Sequence, residues 1–121
     1  MIAVIFEVRP KPGRADDYFD IAATLKTELE TIDGFISVER FRSVSDEGKY
    51  LSFSLWRDEA AVAEWRRRSA HRTAQNKGRS EIFADYRILV ATVMRDYGLI
   101  RREEAPDRER SQAEVVETAG G

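Results

Sequence analysis

Hydrophobic and polar residues in this chain switch between two spacings, and the switches mark out its elements. From Ile2 to Val8 the residues are β-branched or aromatic, up to a breaker at Pro10, Lys11, Pro12 and Gly13, which predicts a first strand. Tyr18, Ile21, Ala22, Leu25, Leu29 and Ile32 then recur at steps of three and four, the stripe of a helix that buries one face. Asp16 and Asp17 fall in its first turn, where carboxylates complement the helix dipole, and Asp33-Gly34 supplies a left-handed stop. Phe35–Ser43 and Lys49–Trp56 read as two strands joined through Ser45, Asp46, Glu47 and Gly48. Asp58 is placed to cap a second helix through Ala61, Val62 and Trp65. The arginines 66–68 and Ser69 predict an interruption, with a further helical piece from Ser69 to about Lys77 and release at Gly78. Alternation resumes from Tyr86 to Tyr97 as one long final strand.

The resulting order is β-α-β-β-α-β, the split pattern of a ferredoxin-like α+β fold with an antiparallel sheet. Two helices cover one face of such a sheet. The other face is expected to be polar, yet Ala3 and Ile5 lie opposite Ile2, Val4, Phe6 and Val8, and Leu51, Phe53 and Leu55 oppose Tyr50 and Trp56. A face that apolar calls for a partner, and the simplest partner is a second copy packed sheet to sheet. The chain is therefore expected to be a homodimer.

Composition narrows the function classes. The 121 residues are 42% hydrophobic and 35% charged, enough for one globular domain. We place that domain at residues 1–98 and read 99–121, rich in Arg and Glu with few apolar anchors, as a flexible charged tail. A net charge of −2 argues against nucleic-acid binding, and no segment approaches the length of a membrane span. The first residues lack the basic start of a signal peptide, so a cytoplasmic location is expected. The absence of cysteine removes thiolate metal sites and thiol nucleophiles. With a single histidine and scattered acids no metal site is expected, and no phosphate loop or nucleophile elbow is present.

The remaining chemistry concentrates in the second helix. Trp65 offers a flat wall for an aromatic ligand, although packing the helix on the sheet is an equally good use of it. His71, the lone histidine, is the natural general base because an unperturbed imidazole titrates near neutrality, although a solvent-exposed or capping role is an equally good use of it; Gln75 lies four residues on. Trp65 and His71 are six residues apart, so they converge only if the helix breaks near Arg68-Ser69.

Trp56, Arg57, Asp58 and Glu59 at the helix opening, then Trp65, Ser69, Ala70, His71, Gln75, Gly78 and Arg79, resemble the antibiotic biosynthesis monooxygenase family of dimeric α+β barrels. Phe83 to Tyr86 and Arg95 to Gly98 resemble a bacterial subgroup of it. The resemblance implies a cofactor-independent monooxygenase that oxidises an electron-rich aromatic, quinol- or anthrone-like, with O2. It implies catalytic roles for His71 and Trp65, and substrate-binding roles for Trp65, Gln75, Phe6 and Phe83. Where the anthrone-oxidising members carry an asparagine four residues before the tryptophan, this chain has Ala61. The alternatives within the resemblance are a haem-degrading oxygenase and a non-catalytic small-molecule-binding dimer. For haem, the chain keeps Trp65 but carries Val4 and Phe6 on the first strand, and Ala74 and Gln75 where the axial ligand falls.

Overall fold

The structure is a computed structural model that describes residues 1–75 and 82–106, with residues 70–75 described by their backbone alone. The elements are β1 (Ile2–Pro10), α1 (Ala15–Leu29), β2 (Phe35–Arg42), β3 (Tyr50–Trp56), α2 (Glu59–Gln75) and β4 (Phe83–Thr92). They form a four-stranded sheet in the order β2-β3-β1-β4 with every pairing antiparallel, which is the ferredoxin-like α+β architecture.

Register decides which residues share a face. Val4 stands opposite Ser54 on β3 and Val90 on β4, and Ser54 in turn opposes Val38 on β2. The next row on that face is Arg40, Ser52, Phe6 and Ile88. Both helices pack on this side: Tyr18, Ile21, Ala22, Leu25 and Leu29 of α1 meet it, as do Trp65 and Ser69 of α2. The helix-free side carries the alternate rows, with Phe53, Ile5 and Leu89 at its centre. At one end of that side Glu7 takes ion pairs from Arg87 (2.8 Å) and Lys49 (3.7 Å).

Beneath the helices the core is in two pieces. One holds Ile2, Leu29, Ile32, Trp56, Ala61 and Val62; the other holds Val8, Tyr18 and Ile82. The turn between α1 and β2 is fitted closely to the first piece. Gly34 takes φ +95°, and a Cβ added there would lie 2.8 Å from the Ala61 methyl, so glycine is required by conformation and by space together. Arg57 ties the same corner by a two-pronged bond to Asp33, 3.1 Å on each prong. Asp58 Oδ1 accepts the Ala61 N–H at 3.0 Å, which is the expected cap of α2.

Two expectations are corrected. The helix is not broken at 66–69 but runs unbroken from Glu59 to Gln75. Arginine is a good helix former, and Glu64 holds the run in place by accepting from Arg67 and Arg68 one turn on. Those bonds depress the Glu64 carboxyl to about 2. Arg68 also donates to Thr31 Oγ1 at 3.0 Å, fastening α2 to the end of α1. The final strand is Phe83–Thr92, not 86–97: as an edge strand β4 pairs only with β1, and β1 begins at Ile2, the partner of Thr92. Residues 98–105, at the start of the charged tail, make hydrogen bonds among themselves. Gly98 N–H donates to the Arg101 carbonyl at 2.8 Å, Arg102 donates to the Gly98 carbonyl at 3.0 Å, and Ala105 is buried at 1% exposure. The expected release at Gly78 and the tail beyond 106 lie outside the described residues.

Candidate active site

Between the two pieces of core lies a cavity of about 160 Å³. Its origin is readable on β3. The helix-facing residues of that strand are Tyr50, Ser52, Ser54 and Trp56, so two small side chains sit between two large ones. A row that short leaves a floor the helices above cannot reach. Phe6 and Val4 wall it on one side, Val38 and Arg40 on the other, and Trp65, Leu25 and Ile21 roof it.

The aromatic end of the cavity is braced by edge contacts. Phe6 and Phe83 lie 5.9 Å apart at 67°, and Tyr18 and Phe83 lie 5.9 Å apart at 72°. At the other end Trp56 is 1% exposed, and its indole N–H donates to Ser54 Oγ at 2.9 Å. Ser54 passes the interaction on by donating to the Val4 carbonyl at 3.2 Å. Ser54 therefore serves twice, as floor of the cavity and as the acceptor that makes burial of Trp56 tolerable.

Trp65, Phe6 and Phe83, three of the residues expected to contact substrate, line this one cavity. Trp65 also packs against the first core piece, which is the structural use expected of it. The side chains of His71 and Gln75 lie outside what is described. Their backbone lies in α2, and in an unbroken helix six residues turn through about 600°, leaving the His71 position about 120° around the axis from Trp65. The break on which their convergence depended is absent. Ser69, one turn after Trp65, is the residue that joins it at the cavity.

Sequence reasoning missed Tyr18, Arg40, Ser52 and Ser54. In the sequence Tyr18 is one more residue of the helical stripe, yet it is 4% exposed; burial pushes its phenol above the usual value of 10, and the nearby Arg40 charge opposes that shift. Arg40 is the one charged side chain among the described residues of the lining. The available signal was alternation: Val38, Arg40 and Arg42 share a face of β2, so an arginine stands where the pattern calls for an inward residue.

A family model for antibiotic biosynthesis monooxygenases matches residues 1–77. The chain belongs to this family. It is 42% identical over 122 aligned residues to jasmonate monooxygenase ABM of Pyricularia oryzae, an alignment that takes in 98% of this chain and 57% of that protein. The chain thus spans little more than half the length of that relative. It is also 36% identical to the uncharacterized protein YqjZ of Bacillus subtilis, over 77% of this chain and 79% of the other. Among solved structures, the fold is similar to an MhuD mutant crystallised with two manganese protoporphyrin IX molecules per active site. The TM-score there is 0.67 at 18% identity, over 81% of this chain and 99% of that one. Family membership agrees with the resemblance seen in the second helix, and the fold likeness agrees with the β-α-β-β-α-β order.

The double use of Ser54 has a measurable consequence. Ser54→Ala strands the Trp56 N–H in the core, and urea unfolding should show a loss of about 1–3 kcal/mol, the range for a buried donor left unmet. A loss below a few tenths would mean that Trp56 is satisfied in another way.

Proposed function

We propose that this protein is a cofactor-independent monooxygenase whose substrate, a small electron-rich organic molecule, binds in the cavity between the helices and β3. The observation that carries the reading is that cavity: Trp65, Phe6 and Phe83 converge on it, in a chain of a monooxygenase family. A relative named as a jasmonate monooxygenase supports oxidative chemistry on a small molecule.

A substrate that is a good enough carbon acid needs no external reductant. Loss of one proton from a methylene carbon leaves a carbanion, whose electron pair forms the new C–O bond to O2; protonation then gives the hydroperoxide. Loss of the second proton from the same carbon, with cleavage of the O–O bond, leaves a carbonyl group and water. One methylene group and one O2 thus become one carbonyl group and one water. Atoms balance, and all the electrons are drawn from the substrate. The chain's part is to exclude water with its apolar walls, hold the reacting carbon against O2, and take the proton. We propose His71, the chain's one histidine, as the base, acting from a position on α2 about 120° around the axis from Trp65.

Haem is the less favoured cofactor reading. Where the haem-degrading members carry a first-strand asparagine and an axial histidine, this chain has Val4 and Phe6, and Ala74 and Gln75. A cavity of about 160 Å³ is also far smaller than a porphyrin needs, and a porphyrin is much larger than the small molecules proposed above.

We also infer that the protein works as a homodimer through the helix-free face. Phe53, Ile5 and Leu89 form an apolar row there, next to Leu51 and Leu55, with Leu89 39% exposed and Phe41 47% exposed in the single chain. Leu89→Asp should convert the dimer to monomer by light scattering; a well-folded wild-type monomer at micromolar concentration would contradict the inference.

Oxygen consumption with a panel of quinols, anthrones and jasmonate tests the catalytic reading. At least one substrate should drive O2 uptake without added metal, flavin or nicotinamide. His71→Ala should slow that uptake by roughly a hundredfold or more. No uptake with any of them would leave a binding protein.

A further inference from the structure

Two polar groups in the cavity have no role in the proton and oxygen steps above, and both are incompletely satisfied. Arg40 donates from Nη2 to the Ala22 carbonyl at 3.1 Å, but its Nε–H is buried with no partner. The Tyr18 hydroxyl is likewise buried with no partner. Ala22 is one helical turn after Tyr18, so the bond that holds Arg40 to α1 also holds it beside the phenol. Arg40 is near enough to act on the Tyr18 hydroxyl through its charge and as a hydrogen-bonding neighbour, yet neither that hydroxyl nor Arg40 Nε–H reaches a partner at full hydrogen-bonding geometry. No carboxylate occurs among the described lining residues, so no side chain of the lining neutralises the half-buried Arg40 guanidinium.

Buried donors without acceptors are rare because each carries its full desolvation penalty. Here one charged and one neutral donor meet at the same place. Their complement is an acceptor with a negative charge, close-set oxygens and no proton of its own. A carboxylate fits, since its oxygens match guanidinium N–H geometry and can take the tyrosine proton as well. A phosphate dianion fits poorly, because a single cation leaves half of its charge unmatched. The remaining wall, including Ile21, Leu25, Val38 and Trp65, suits a hydrocarbon body.

We propose that Tyr18 and Arg40 form an anion subsite within the cleft, and that the substrate is a small apolar organic acid bound as its carboxylate. This rests on the reading of the cleft as the substrate site and specifies which molecules it accepts. Neither residue is asked to move a proton; together they orient the acid so that its apolar part lies along Trp65.

The test is a binding comparison between an acid and its uncharged ester, with jasmonate and methyl jasmonate as probes and calorimetry as the readout. The full chain at neutral pH should bind jasmonate at least about tenfold more tightly than the ester, the lower bound for a charge-assisted bond. Arg40→Gln, with its fold checked by circular dichroism, should bind the two alike. Tyr18→Phe should weaken the acid severalfold and leave the ester unchanged, which keeps the test open should the arginine variant fail to fold. Equal affinities in the wild type, no binding of either probe at millimolar concentration, or an acid preference that survives in Arg40→Gln would overturn the proposal. Acid-selective binding without O2 uptake would support the subsite and sink the oxygenase reading. Turnover of uncharged quinols with no preference for acids would do the reverse.

Discussion

The constraint on which this structure turns is the register of β1 between β3 and β4. Antiparallel pairing aligns Val4 with Ser54 and Phe6 with Ser52, so the centre of the helix-facing surface is large on β1 and small on β3. Trp56 and Tyr50 flank the serines and hold the helices away from them. A slip of one residue would turn Leu51, Phe53 and Leu55 under the helices and fill the space. The cavity is therefore a property of pairing and alternation, not of a loop or an insertion.

Placement of the polar groups follows from the same register. Ser54 accepts from Trp56, and Ser52 brings the neighbouring strand's Arg40 to the cavity edge as its pairing partner. An arginine facing a helix layer is expensive unless something meets its charge. The main chain of α1 meets part of it through Ala22, and Arg40 also lines the cavity. Family membership speaks for oxidation, and in our proposal the arginine selects what is oxidised.

The fold is legible in the sequence because its signals are local: strand alternation, a three-four stripe, and the glycine stops Gly34 and Gly48, both with positive φ. The departures are physical too. Three arginines in a row resemble a break, though with Glu64 one turn back they reinforce the helix. Alternation carries the last strand past Thr92 because it says nothing about when a partner strand runs out. Trp65, Phe6 and Phe83 can be named from the sequence since large aromatics at inward positions must meet something. Ser52 and Ser54 cannot, because a cavity is made by what is missing, and it appears only when three strands are laid side by side. Tyr18 has the pattern of an ordinary core position, and only the packed structure shows its hydroxyl without a partner.

If the serine floor makes the substrate site, closing the floor must close the site without harming the fold. The direct measurement is ligand affinity and thermal stability of Ser52→Leu, a change that adds apolar volume where Ser52 Oγ forms no hydrogen bond among the described residues. The account predicts a folded protein, at least as stable as the wild type, that no longer binds jasmonate or consumes oxygen. A stable Ser52→Leu protein with unchanged affinity and turnover would show that the chemistry takes place elsewhere on the molecule.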